Sequence, residues 1–266
     1  IVALEVYGSN QSWIAIAVSD DSDPTGVWYK YRTNSLVVVN GTNYWVDYPG
    51  FGYDANAYYV TGNLFGFSSG TAGTLYRTFP KAPLLSGAPA TFTDVRKGSH
   101  FSVQVAQHYG ANPAAYFASR NSSSSMRIDA IVNPVSASPQ FHTTTISVPS
   151  APGPIGNAPN NGASLSVGDG RVNNAHWRNN FLYSTQTTVV AGNRNVGRWH
   201  QVNLNNWPFS GSPGLVQSGN IDPGGNKHSF YPAIAANAAG DIGLVVGTSG
   251  PSAFANVAVT GRYATD

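Results

Sequence analysis

Five times along the chain an apolar run, a short turn rich in Asn, Asp and Gly, and a second apolar run follow one another. The fifth copy, "SFYPAIAANAAGDIGLVVGTSG" (229–250), is the plainest: a Tyr-Pro, small apolar residues, a bend at Gly240-Asp241, then "IGLVVGTS". The others are "IVALEVYGSNQSWIAIAVSD" from Ile1, "YPGFGYDANAYYVTGNLFG" from Tyr48, "HFSVQVAQHYGANPAAYFASRN" from His100 and "RVNNAHWRNNFLYSTQT" from Arg171. Their turns fall at Ser9-Asn10-Gln11, at Asp54-Ala55-Asn56, at Gly110 to Pro113 and near Asn179-Asn180. A hairpin cannot bury itself, so each copy needs neighbours.

Further strand-like runs follow each of the first four hairpins, among them "WYKYRT", "GTLYRTFPKAPLL", "SMRIDAIV" and "GRWHQVNL". About four strands per unit, repeating every roughly 50 to 70 residues, predict an all-β fold of the β-propeller type. The expectation is about five blades, with a sixth incomplete, of roughly four antiparallel strands each, in a single domain over 1–266. Tyr48, Phe101, Arg171 and Tyr231 should begin inner strands, with Val60, Tyr116, Leu182 and Val245 on the second strands. The hairpin at 229–250 lacks clean alternation and reads as buried on both faces. Residues 149–168, "PSAPGPIGNAPNNGASLSVG", read as a long connection, because Pro cannot donate to a sheet ladder.

Helix signals are nearly absent, and Glu5 is the one glutamate. Charged residues are 10% of the chain and the net charge is +2, with no stripe of Lys or Arg, which argues against a nucleic-acid partner. No apolar run is long enough to span a membrane. Cysteine is absent, so disulfides and thiol chemistry are excluded. The Asn, Ser, Thr and Gly richness with few Lys and Glu points to an extracellular protein. The chain opens inside a strand, which reads as a mature chain or a piece of something longer. No phosphate loop, nucleophile elbow or zinc spacing is present, so neither cofactor nor metal is expected. Oligomeric state is left open.

The segment "SDDSDPTGVWYKY" (19–31) resembles the Asp-box turn of sialidase-like propellers, with Asp23, Gly26 and Trp28 in the motif's places. That resemblance implies that the Asp23 carboxylate caps backbone N–H groups and that Trp28 packs into the blade. The runs from Val46, from Gly168 and from Tyr231 are similar to secreted bacterial propellers of large extracellular proteins, most without an assigned activity. The resemblance implies a propeller that continues past both ends of this chain.

Propeller sites gather where inner strands begin, so the polar residues there are the candidates: Asp47, His100, Asp169, Arg171 and His228. Trp207, beside Pro208 in a loop, is a candidate stacking platform for a sugar. The first reading is a carbohydrate ligand at the axial face. The alternative is a carbohydrate-active enzyme. Hydrolysis would need two carboxylates, with Asp47 and Asp169 the best placed, and a lyase would draw on His100, His176, Tyr183, Arg171 and His200. A sialidase would need an arginine cluster such as Arg120, Arg171 and Arg262, and the lone Glu5 weighs against it. The third reading is a scaffold without a ligand. Asp54 and Asp241 sit in turns, where Asp bonds its own backbone.

Overall fold

The computed structural model describes every residue except Ser9, so the turn expected at Ser9-Asn10-Gln11 lies partly outside the described residues. The chain is all-β. The described residues form strands throughout, apart from loops and one five-residue helix, α1 (Lys81–Leu85). None of their helices is long and apolar enough to cross a membrane. Two compact units divide the chain, 1–105 with 131–141 and 106–130 with 142–266.

In the first unit, β1 (Val2–Tyr7), β2 (Gln11–Ser19) and β3 (Trp28–Asn34) form an antiparallel meander. A second meander runs in chain order through β4 (Val37–Val39), β5 (Thr42–Tyr53), β6 (Ala57–Gly66), β7 (Thr71–Pro80) and β8 (Thr93–Lys97). Strand β2 alternates strictly, sending Ile14, Ile16 and Val18 into a core with Val46, Val60, Leu64, Leu75 and Phe79. Continuous burial falls on the middle strands β6 and β7 rather than on β5. Their buried polar residues are therefore all in need of partners. Arg77, 2% exposed, has them: Nε and Nη2 donate to the two Asp94 oxygens at 2.8 and 2.7 Å, and Nη1 donates to Thr33 Oγ1 at 2.9 Å.

The second unit holds most of an eight-stranded sheet. Its strands are β9 (Gln104–Tyr109), β10 (Ala115–Ser122), β11 (Ser125–Val132), β12 (Gln140–Ser147), β15 (Val172–Arg178), β16 (Phe181–Val190), β17 (Arg194–Asn203) and β18 (Gly214–Ile221). Two antiparallel meanders, β9–β12 and β15–β18, are joined by parallel pairing of β9 with β15. A separate three-stranded meander comprises β19 (His228–Ala236), β20 (Ile242–Gly250) and β21 (Ala253–Arg262). Between the two lies a hairpin, β13 (Asn157–Asn160) and β14 (Ala163–Ser166), inside the segment read as a connection. Pro159 is accommodated there because a two-stranded ribbon has only edges.

The turns expected near Asn179-Asn180 and at Gly240-Asp241 fall in place. Asn179 and Asn180 adopt φ 49° and 66°, and Gly240 φ 91°. Val60, Tyr116, Leu182 and Val245 all lie on second strands. The hairpin at 229–250 differs from the reading of burial on both faces. Ile242, Leu244 and Val246 point inward, whereas Gly243 and Val245 are exposed. Only one face meets the neighbouring sheet, through Tyr183 and Trp199, so an apolar sequence hides an ordinary period of two. In the 19–31 turn, Asp23 Oδ1 accepts from Thr25 N at 2.9 Å and Thr25 Oγ1 at 2.7 Å. Trp28 is half-buried and its indole donates to Pro24 O at 3.0 Å.

One irregularity recurs at Tyr48 within β5, at Ser102 just ahead of β9, and at Tyr231 within β19. Tyr48, Ser102 and Tyr231 adopt φ 55°, 51° and 51°, and the ladders slip between Asp47 and Gly50 and between Phe230 and Ala233. A bulge releases backbone groups from the ladder, and buried ones must find other partners. In the first unit Thr61 Oγ1 donates to Val103 O at 2.6 Å, and Asn63 Oδ1 accepts from Ser102 N at 2.6 Å. In the second unit Thr185 Oγ1 donates to Pro232 O at 2.6 Å, and Thr187 Oγ1 accepts from Tyr231 N at 3.1 Å. The device is the same in both: residues i and i+2 of a second strand clamp an irregular stretch of backbone later in the same unit. Gly50 is required beside the first clamp, since a Cβ there would lie 2.3 Å from Thr61 Oγ1 and 2.8 Å from Val103 O. Thr185→Val strands the Pro232 carbonyl and is expected to lower unfolding free energy by about 1–3 kcal/mol, with Thr185→Ser recovering most of it. Chemical denaturation of the three proteins checks this, and a Val variant as stable as the parent would show the clamp to be incidental.

Candidate functional site

The imidazoles singled out in the sequence are all buried; His100, His176 and His228 meet specific partners, whereas His200 Nδ1 has no hydrogen-bond partner. His100 is 5% exposed, with Nδ1 2.8 Å from the Tyr76 hydroxyl and its ring near Phe141. His228 Nδ1 accepts from Asn195 N at 3.1 Å, and His176 Nε2 accepts from Ala236 N at 3.2 Å while its ring stacks on Tyr109. His108, not singled out, does likewise with Tyr116 N at 2.8 Å. An imidazole nitrogen that accepts an N–H must hold a lone pair, so these last three rings fit their places as neutral groups. Asp47 is exposed, and its Oδ1 accepts from Tyr48 N at 2.7 Å. Trp207 is half-buried, its ring edge-on to His142 and its carbonyl accepting from the Tyr116 hydroxyl at 3.0 Å.

Asp169 and Arg171 are brought together. They flank Gly170 in the loop that leads into β15. Arg171 N and Nε both donate to Asp169 Oδ1, at 2.9 and 2.6 Å, and Nη2 donates to Oδ2. The carboxylate keeps about half of its side-chain surface in solvent (54%). Its pKa is held below the usual carboxylate value, first by the side-chain hydrogen bond from Arg171 and further by the positive charges of Arg171 and Arg120.

Arg120 arrives from β10. Nη2 donates to Ala151 O at 3.3 Å, and its buried Nε has no hydrogen-bond partner. A Cβ on Gly170 would stand 3.4 Å from that nitrogen, an ordinary contact distance, so the loop lies against the guanidinium. Tyr231, half-exposed at its bulge, completes the group. Its hydroxyl donates to Ser166 O at 3.3 Å, and a Cβ on Gly168, where φ is 67°, would lie 3.1 Å from that hydroxyl oxygen. A bulky residue held at positive φ is strained, and such strain persists where surroundings over-determine it. Here the Thr187 hydroxyl does so. Three chain segments thus present two guanidiniums, a carboxylate and a phenol together. Sequence spacing pointed to Asp169 and Arg171, and the possible convergence of Arg120 with Arg171 was visible only as chemistry. The role of Tyr231 came from its bulge.

Among the described residues no group of three or more His, Asp or Glu is placed to hold a metal ion. The carboxyl groups of Asp23, Asp169, Asp222 and Asp241 are all held below the ordinary carboxylate value, so none of these four is held protonated as a general acid.

No protein-family model matches the chain, and no curated protein matches it. Among solved structures, it superposes on the Bacteroides ovatus protein Xyloglucan PUL GH43B with a TM-score of 0.46 at 12% identity, over 100% of this chain and 54% of that one. The endo-arabinase of Bacteroides thetaiotaomicron gives 0.47 at 11% identity, over 100% and 94%. An alpha-L-arabinofuranosidase of Clostridium thermocellum gives 0.39 at 14% identity, over 98% and 88%. Each bears the name of a carbohydrate-active enzyme, and the chain spans about half the length of the first. By both measures these likenesses are distant.

Burial, above all, pushes His176 and His200 down from 6.5 to about 4. The unfolded imidazoles titrate near 6.5. Between pH 6.5 and about 4 the unfolded chain binds protons that the folded chain refuses, so stability falls as pH drops through that window and is full above it. Replacing His200 by Gln is expected to flatten this decline in denaturation midpoint. An unchanged pH profile would mean that His200 ionises in place.

Proposed function

We propose that this chain is an extracellular propeller domain that takes a carbohydrate bearing acidic sugars, at the surface built by Asp169, Arg171, Arg120 and Tyr231. The observation that carries the reading is the pair of guanidiniums around one solvent-facing carboxylate. Arg171 already holds Asp169 in the two-point geometry that a uronate carboxylate would adopt. An incoming uronate can therefore replace Asp169 on Arg171, with Arg120 adding charge and the Tyr231 face adding apolar contact. The other residues proposed from the sequence, Asp47, His100 and His228, mark the corresponding strand leads in this reading, and Trp207 a separate aromatic surface.

The enzyme alternative has one specific observation in its favour: a phenol held in a strained backbone beside arginines. Eliminative cleavage of a uronate needs that pairing, a base and acid with a positive charge to stabilise the enolate. Hydrolysis by two carboxylates has less support, because Asp169 is held ionised by its arginine.

Affinity electrophoresis through gels containing polygalacturonate or alginate tests the binding reading. The parent protein is expected to be retarded, and Arg171→Ala with Arg120→Ala to weaken binding at least tenfold, about 1.4 kcal/mol. Because both side chains are partly exposed, melting temperature should change little. Release of unsaturated uronate, lost in Tyr231→Phe, would establish the enzyme form. A parent that migrates freely through both gels would remove the acidic-glycan reading.

A further inference from the structure

A second recess lies in the second unit, between β16–β18 and the β19–β20 turn. Its volume is about 310 Å³, and Arg178, Phe181, Tyr183, Gln201 and Gln217 are among its walls. Register sets its chemistry. Tyr183 pairs with Gln201 across β16 and β17, and Gln201 with Gln217 across β17 and β18, so the three polar groups stand in one row on one face.

The row is directional. Gln217 Nε2 donates to Gln201 Oε1, and Gln201 Nε2 donates to the Tyr183 hydroxyl oxygen at 3.2 Å. Tyr183 and Gln201 are 2% and 8% exposed, whereas Gln217 is half-buried. A buried chain of hydrogen bonds thus fixes the Gln217 amide, leaving its carbonyl oxygen and second N–H to serve the recess. That amide end offers one donor and one acceptor a short distance apart, the complement of two adjacent hydroxyls. Phe181, half-buried at the same wall, supplies an apolar ring.

The lining excludes other ligand classes. It contains no carboxylate for a cation. Its one positive group, Arg178, is engaged, with Nη1 donating to Ala236 O at 3.3 Å and its guanidinium over the Tyr109 ring. An apolar ligand would strand the amide of Gln217. We propose that this recess is a subsite for a neutral sugar unit, hydrogen-bonded by Gln217 and packed on Phe181. It shares with the acidic-glycan reading only the class of ligand, and none of its residues belongs to the Asp169 surface.

The test follows the side-chain amide resonances of Gln201 and Gln217 while neutral xylo-, arabino- and gluco-oligosaccharides of two to four units are titrated. It is run on the parent and on Arg171→Ala, in which the acidic surface is disabled. At least one neutral series is expected to shift the Gln217 amide, and with it the Gln201 amide it bonds, equally in both proteins, and Gln217→Leu and Phe181→Ala each to weaken the titration followed at the Gln201 amide by tenfold or more. Gln217→Leu is close in shape and half-exposed, and its backbone spectrum reports whether the fold is kept; Phe181→Ala gives the second reading should it not be. Shifts of Gln217 with uronates alone, or none with any sugar at millimolar concentration, would overturn the subsite. Either result leaves retardation by acidic gels unaffected, so the two readings fail separately.

Discussion

Within each unit, side chains two residues apart on a second strand fasten an irregular stretch of backbone further along the chain. Sheets that meet face to face are attracted by apolar side chains, which are tolerant of sliding. Hydrogen bonds to backbone groups are not. Thr61 and Asn63 fasten Ser102 and Val103, and Thr185 and Thr187 fasten Tyr231 and Pro232, with the same two-residue spacing. Backbone groups outside a regular ladder make this fastening possible: Ser102 and Val103 precede β9, and Tyr231 and Pro232 sit in the bulge of β19. That bulge also places Tyr231 beside the Asp169–Arg171 loop, so the joint between sheets and the candidate site are one piece of architecture.

Polar burial follows a second rule in this chain, partners with complementary and uncharged needs. Three imidazoles accept backbone N–H groups, and an amide row ends on a phenol. Charges inside are rarer and paired closely, as Arg77 is with Asp94. Glu5 lies at the surface beside Arg32, while the buried carboxylate of Asp54 is held by neutral donors, Asn56 N, Ala57 N and the Tyr59 hydroxyl.

Much of the architecture was legible because turns have their own chemistry. Asn179-Asn180 and Gly240 punctuate the runs, and their positive φ values are ones those residues tolerate best. The second strands followed from those turns. Burial was less legible: the 229–250 run is apolar on both faces although only one is covered, since Gly and Val carry no signal of exposure. Asp169 and Arg171 stood out by spacing. Arg120 could be linked to them only by chemistry, because its strand is distant in sequence, and the Gln201–Gln217 row was invisible because adjacency across strands depends on register. The repeated Tyr-Pro was visible, but its strained geometry arises from the sheet packed against it.

The parallel pairing of β9 with β15 joins residues roughly 70 positions apart, Ala106 opposite Ala175 and Tyr109 opposite Arg178. Every other pair in the eight-stranded sheet links neighbours in the chain. The local meanders can therefore zip as they leave the ribosome, whereas this seam must wait until the whole intervening chain has been made and its loop closed. Until then two strand edges stand open in the same nascent molecule. The order of synthesis thereby makes this one seam the moment at which the chain is most open to pairing with a stranger.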